Sequence, residues 1–344
     1  MSALLRRTLA LLVVVPFAGC DLYVRPDEAG DDGVGPLLDA STFVPDAADV
    51  DAGTPIDARP PVDPPNAGFV TPTTTTRANV FRNGAWMDVG AAEWGCLAQP
   101  PNEPVPDGRY TVSGTVRDHG TSNPVSGAAI VASAGGQALG NGTAGTSGGS
   151  RGVYRIELAP LPAGARRVRF AVSAMGARKT IAIDRYLGPV ASATLDLPLV
   201  SEATAASIPA FVGESADPAE GLVLGELRDC QGRHVSGAVV ALSQSTTLVL
   251  HWPGGVTFYF SAGASSLPVR HNVRNETNRD GRFMLLGPQP QQGAEGTVQA
   301  WGFRTDADRA AGTLRLLGSS AAVIEPAVVS HVVLGRQRGI LANP

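Results

Sequence analysis

Hydrophobic and polar residues alternate singly along several short stretches of this chain, the period of a strand with one wet and one buried face. Arg167-Val168-Arg169-Phe170-Ala171-Val172-Ser173 is the clearest, and Thr194-Leu195-Asp196-Leu197-Pro198-Leu199 repeats the pattern. Thr257–Ser261, Gly296–Trp301, Val223–Leu227 and Ala327–Leu334 read as further strands. A helical period is scarce. Its best carrier is Ser201–Ser207, where Ser201 is placed to cap a short connecting helix that Pro209 would stop. The apolar run Leu9–Phe17, preceded by Arg6 and Arg7, is too short to span a bilayer comfortably.

Composition supports the strand reading. The 344 residues include 41 glycines and 27 prolines with few aromatics, a balance suited to short strands and many turns. Lys179 is the only lysine against 26 arginines, which reads as the codon bias of a GC-rich bacterial genome and not as a phosphate site. The net charge of −4 hides an asymmetry: eleven acidic residues stand between Asp21 and Asp63, opposed by Arg25 and Arg59. The rest of the chain is nearly neutral, which argues against a nucleic-acid partner. The acidic stretch is rich in Ala, Pro and Gly and runs into Thr71–Thr76, so residues 21–76 are expected to be a disordered tether. Asp27–Gly33 lacks the alternating ligands and distal Glu of a calcium loop.

An internal repeat follows. The first copy opens Tyr110-Thr111-Val112-Ser113-Gly114-Thr115-Val116-Arg117-Asp118 and continues Pro124-Val125-Ser126-Gly127-Ala128. The second opens Gly225-Glu226-Leu227-Arg228-Asp229 and continues His234-Val235-Ser236-Gly237-Ala238. Each then reaches a Gly-aromatic step, at Gly152-Val153-Tyr154 and at Gly281-Arg282-Phe283. A spacing of about 110 residues indicates duplicated domains, because solenoid repeats run to roughly 20–50 residues. This grammar resembles the carboxypeptidase regulatory-like domain. The resemblance implies a small transthyretin-like β-sandwich that is accessory and non-catalytic. The second copy departs from it by a long excursion from Gln244 to Glu276.

The expected fold class is therefore all-β, with two tandem transthyretin-like or Ig-like β-sandwiches after the tether. The sandwiches are placed at 105–200 and 219–344, with a connector at 201–218 and an N-terminal segment, 77–104, packing on them. Phe17-Ala18-Gly19-Cys20 resembles a bacterial lipobox, which implies a signal peptide over residues 1–20 and lipidation of Cys20. The expected location is the cell envelope of a Gram-negative bacterium, most simply the outer membrane, with its face left open.

With Cys20 lipidated, Cys96 and Cys230 remain, and an even pair in an exported protein favours a disulfide over two free thiols. Such a bridge would clip the Trp86–Cys96 segment onto the second repeat. Gly145-Thr146-Ser147-Gly148-Gly149 matches a nucleophile elbow by letter, and Gly140–Gly145 a dinucleotide loop, but neither precedes a helical pattern. His119, His234, His251, His271 and His331 lack metal-ligand spacing, and Asp118 and Asp229 occupy equivalent strand ends suited to turn capping. No catalytic residue, metal or cofactor is expected. A site for a glycan or an envelope protein would lie in the second repeat's excursion, with Trp252, Tyr259, Arg270, His271 and Arg274 as candidate ligand-binding residues. The functional expectation is a membrane-anchored structural or adhesive platform, with a carbohydrate- or peptide-binding module as its alternative.

Overall fold

The computed structural model describes residues 71–98, 108–162, 167–187, 191–215, 217–243, 255–262, 266–270, 273–288 and 295–335. The signal segment, Cys20 and the acidic stretch lie outside the described residues, as do Trp252 and His271. The protein is an all-β sandwich fold. Strands β1 (Arg77–Arg82) and β2 (Ala85–Ala91) form a hairpin. The first repeat supplies β3 (Tyr110–Asp118), β4 (Ala129–Ala134), β5 (Gln137–Thr143), β6 (Val153–Leu158), β7 (Arg167–Ser173), β8 (Ala177–Tyr186), β9 (Ser192–Thr194) and β10 (Leu197–Ser201). Helix α1 (Glu202–Ala210) leads to β11 (Leu222–Leu227), β12 (His234–Ser236), β13 (Ala238–Ser243), β14 (Val256–Phe260), β15 (Pro268–Val269), β16 (Arg282–Leu286) and β17 (Glu295–Gly302). Helix α2 (Asp306–Ala310), β18 (Arg315–Val323) and β19 (Val328–Leu334) complete the second repeat.

In the first sandwich β3 lies between antiparallel β6 and parallel β9 and β10, facing a layer in the order β5-β4-β7-β8. Val112, Ile156 and Leu197 from one layer meet Ile130, Phe170 and Val172 from the other. Each such side chain contributes about 1.5–3 kcal/mol when fully buried. In the second sandwich β11 lies between antiparallel β16 and parallel β19, facing β13-β17-β18. Its outer face is covered by α1, whose Ala205 and Ile208 pack on Leu222, Leu224, Phe258 and Met284. Buried on both sides, β11 reads as a continuous apolar run and not as an alternation. Ser201 caps α1 by accepting a hydrogen bond from Thr204 N. Pro209 lies inside the last turn instead of beyond it, and the helix ends one residue later.

The repeat is visible bond for bond. Val116 N donates to Gly152 O in the first copy, and Leu227 N to Gly281 O in the second. The same pair of bonds recurs at equivalent positions: Gly127 N to Ala144 O and Ala144 N to Ala128 O in the first copy match Gly237 N to Thr277 O and Thr277 N to Ala238 O in the second. The cross-strand pairs Gly114 with Tyr154 and Gly225 with Phe283 also correspond. In the first copy the missing side chain of Gly114 admits the Leu195 backbone, since a Cβ there would stand 2.0 Å from Leu195 O. That approach divides the expected strand at 194–199 into β9 and β10. The copies differ at one edge: β5 pairs with β4, whereas the excursion of the second copy places β14 and β15 beside β16.

Strand β8 joins the two sandwiches. One edge pairs with β7; the other pairs with β10 at Ala177 and Arg178 and with β19 at Lys179–Ala182. Ala182 belongs to the first core, and Ile181 and Ile183 belong to the second. The N-terminal hairpin is held on the second repeat, with β1 pairing with β12 and Cys96 bridged to Cys230. Residues 71–76, expected to end the tether, are held on the second repeat. Thr73 N and Thr74 Oγ1 donate to the Glu276 carboxylate, and Thr76 N donates to Phe303 O.

Candidate functional site

Of the side chains that sequence marked for ligand contact, Tyr259, Arg270 and Arg274 lie among the described residues, and burial separates the first from the other two. Tyr259 is fully buried, with its hydroxyl accepting a hydrogen bond from Val240 N at 2.9 Å, and burial pushes its phenol well above its ordinary value. This corrects its place among surface ligands: β14 is a sandwich strand under α1, so both of its faces are covered. Trp301 is likewise buried, against Val239 and Phe303. Arg270 is exposed and Arg274 half-buried, and the Arg270 carbonyl accepts from Val273 N and Arg274 N. The Arg270 guanidinium lies against Gly213 just past α1, 3.1 Å from where a Cβ would stand. Beside α1 there is a shallow depression lined by Arg178, Pro209, Asp217, Glu220 and Leu286. Partial burial, then Asp217 and Glu214, push the Glu220 carboxyl up, while Arg178 is paired with Glu202 at 3.3 Å.

The two aspartates of the repeat are turn anchors. Asp118 Oδ1 accepts from Gly120 N and Thr121 N, and its Oδ2 accepts from Ser201 N, fastening the loop to the cap of α1. Burial alone would raise the Asp118 carboxyl, but these hydrogen bonds hold it below its ordinary value. Asp229 Oδ1 accepts from Gln231 N and Arg233 N, while Oδ2 accepts from Glu93 N and the Arg233 guanidinium. Ser147 sits exposed at a short 3-10 turn, Gly148–Ser150, and not at a strand-to-helix elbow.

Histidines that are scattered in sequence meet where the repeats join. His119 follows β3, His331 lies on β19, and their rings are 5.9 Å apart. Arg185 Nη2 donates to His331 Nδ1 at 2.5 Å. Nearby, His234 Nδ1 donates to the Asp280 carbonyl at 2.7 Å and stands 3.7 Å from the Glu226 carboxylate, which also accepts from Arg228 Nε at 2.8 Å. Burial, aided by Arg282, pushes the His119 imidazole down to about 4. Burial also takes His234 down to about 4 against the opposing charge of Glu226. His331 falls well below its ordinary value through burial and then Arg185. Burial alone would raise Glu226, but Arg228 and His234 hold it well below the carboxylate range. These imidazoles are neutral at pH 7 and packed among cations, an arrangement suited to holding an interface together. Among the described residues no group of three or more His, Cys, Asp or Glu is placed to hold a metal ion. Nothing in local sequence marks this junction, because its members come from both repeats.

Among the described residues, several exposed apolar side chains gather on the β1–β2 hairpin. Asn83 and Gly84 make its two-residue turn with φ of 51° and 76°, the left-handed conformation that an Asn-Gly pair favours. Phe81, Met87 and Val89 are exposed, and the half-buried Trp86 ring lies 5.2 Å from Phe81 and 4.7 Å from His234. Sequence reasoning did not single out this site, although Asn83-Gly84 between apolar residues is a hairpin signal.

No protein family matches the chain, and no curated protein matches it. Among solved structures it is similar to the shaft pilin SpaA from Lactobacillus rhamnosus GG, with a TM-score of 0.21 and 12% identity over 68% of this chain and 100% of that one. A double mutant of the same pilin gives a TM-score of 0.20 and 12% identity over 69% of this chain and 100% of that one. At these values the fold rests on the strands and cores described above.

Proposed function

We propose that this chain is a lipid-anchored cell-envelope protein, held through Cys20, whose two carboxypeptidase regulatory-like sandwiches form a non-catalytic structural or adhesive platform. The observation that carries this reading is the single strand β8, hydrogen-bonded to β7 and β10 of the first sandwich and to β19 of the second. Two domains that share a strand edge and bury its neighbouring residues in two cores move as one body. Such a body suits presentation at a fixed geometry better than closure around a substrate. The Cys96–Cys230 bridge further fixes the N-terminal hairpin to that body, at the end of the chain nearest the proposed anchor. Asp118 and Asp229 anchor turns, and His119, His234 and His331 take part in the junction.

The test compares wild type with Cys20→Ala in the native host. Mass analysis of the N-terminal peptide should find a diacylglycerol-modified Cys20 in the wild type and none in the variant. Protease added to intact cells should remove a surface-facing body and spare a periplasmic one, which fixes the face of the envelope. An unmodified Cys20 in processed wild-type protein would overturn the anchor. Independent motion of the two sandwiches, seen as separate unfolding transitions, would overturn the single platform.

A further inference from the structure

We propose that the tip of the β1–β2 hairpin is a membrane contact, inserting Phe81, Trp86 and Met87 among the lipids of an anionic bilayer surface. Phe81 is 53% exposed, Met87 49% and Val89 42%, a cluster of apolar side chains that the fold itself does not use. The hairpin register decides what kind of partner fits. Phe81 stands opposite Trp86, so these two share one face, while Val80 stands opposite Met87 on the other. A flat protein surface covers one face of such a ribbon. A lipid layer surrounds the tip and takes both.

The polar residues agree with this occupant. Arg82 ends β1 and is exposed, and exposed Arg279 donates from Nη1 to the Trp86 carbonyl, so two guanidinium groups border the apolar tip. Asp88, the carboxylate of the hairpin, is paired with Arg77 at 2.9 Å, and that pairing keeps it ionised but neutralised. Cations beside aromatic and aliphatic side chains suit the boundary between anionic headgroups and acyl chains, where tryptophan is favoured. The position in the chain agrees as well. The hairpin is the first element of the described residues, and in sequence it follows the segment that leads from Cys20. A weak second contact beside a lipid anchor gains from the anchor's effective concentration. The inference takes its membrane from the anchored reading, but the tip's affinity is a property of the folded body and can be measured without the lipid.

The experiment uses the unlipidated chain from Asp21 onward, which carries every described residue and omits the apolar signal. It is mixed with vesicles of phosphatidylethanolamine and phosphatidylglycerol, and with vesicles of phosphatidylcholine, and co-flotation is measured. The protein should float with the anionic vesicles and shift its tryptophan emission to the blue, and Trp86→Phe should remove that shift. The double variant Phe81→Ser/Met87→Ser changes only exposed positions, so it should melt like the parent while its partitioning falls by roughly tenfold or more. Failure of the parent to float on anionic vesicles would overturn the proposal, as would equal flotation of the folded double variant. Self-association of the parent in sedimentation, abolished by the same double variant, would assign the tip to a second copy of the chain and overturn it too. Any of these results leaves the lipidation of Cys20 to its own mass measurement.

Discussion

Acidification from pH 6.5 to 4.5 should remove a large part of this protein's stability through the junction histidines. Burial, with Arg282 beside it, holds His119 neutral down to about 4, and burial does the same for His234 against the attraction of Glu226. An unfolded imidazole titrates near 6.5, so over this range the unfolded chain binds protons that the folded chain refuses. For a base whose folded value is depressed, the stabilisation is complete above pH 6.5 and is lost as the pH falls from there to about 4. Two units at about 1.4 kcal/mol each, for two histidines, amount to about 6 kcal/mol as an upper figure. His331 shifts in the same direction, and its ring faces His119 at 5.9 Å, so protonating both adds repulsion. Asp280, whose carboxyl burial raises, opposes the loss by taking up a proton in the folded state. Glu226 and Asp118 are held low, so their contributions disappear only below the ordinary carboxylate range. Urea unfolding at half-unit intervals from pH 7.5 to 4.5 reads the slope, and His119→Gln should reduce it by close to one proton. Stability constant within about 1 kcal/mol over the whole range, less than one proton's worth, would refute the reasoning. An unchanged slope in His119→Gln would refute the assignment of that residue.

Three further outcomes follow from packing and cross-linking. Cys96→Ser/Cys230→Ser opens a link across 134 residues, and chain entropy puts the cost near 5 kcal/mol as an upper figure, read by unfolding and by faster amide exchange in β1 and β2; unchanged exchange in the hairpin would contradict it. Gly152→Ala and Gly281→Ala should each cost roughly 3 kcal/mol, because both residues have positive φ and a Cβ would stand 2.8 Å from Pro124 Cβ or 2.7 Å from Leu227 O. Gly135→Ala, with φ of 54° and open space around it, should cost only about 1 kcal/mol, and equal costs at all three sites would sink the argument from crowding. Asp229→Ala should cost roughly 3 kcal/mol by stranding the Arg233 guanidinium and the amides of Glu93, Gln231 and Arg233, and a melt within a degree of the parent would show those bonds to be replaceable.

Local periodicity and turn chemistry were legible in the sequence; pairing between distant segments was not. Strand β7 coincides with the alternation at Arg167–Ser173, and Ser201 caps α1 as its side chain suggested. Helix α2 carries a capping box from Thr305 to Asp308, but five residues are too few to show a helical period. The division at Leu195 depends on Gly114, about eighty positions away, and no pattern within 194–199 reports it. Tyr259 illustrates the same limit at the candidate site. An aromatic residue in a strand reads equally as core or as a ligand-stacking face, and only the cover of α1 over β14 decides between them. The junction histidines require His119 and His331 to meet across both repeats, so their shared environment became visible only with the fold.

The two copies agree where each neighbour constrains the next and differ where a strand has a free side. Gly152 and Gly281 accept the same strand-to-strand hydrogen bonds and are crowded by backbone atoms, so a change there disturbs several elements together. Strand β5, in contrast, pairs with β4 alone, and the second copy uses its excursion to extend the opposite layer through β14 and β15. That extension, together with α1, buries both faces of β11 and β16, so the second sandwich tolerates consecutive apolar residues that the first must alternate. Strand β8 meets the same condition at the junction, where Ile181, Ala182 and Ile183 are buried in succession because the strand has a core on either side. The two sandwiches are therefore not independent beads. Strand β19 closes the sheet of the second and covers the edge of the first, and this removes an exposed strand edge that would otherwise invite pairing with another chain.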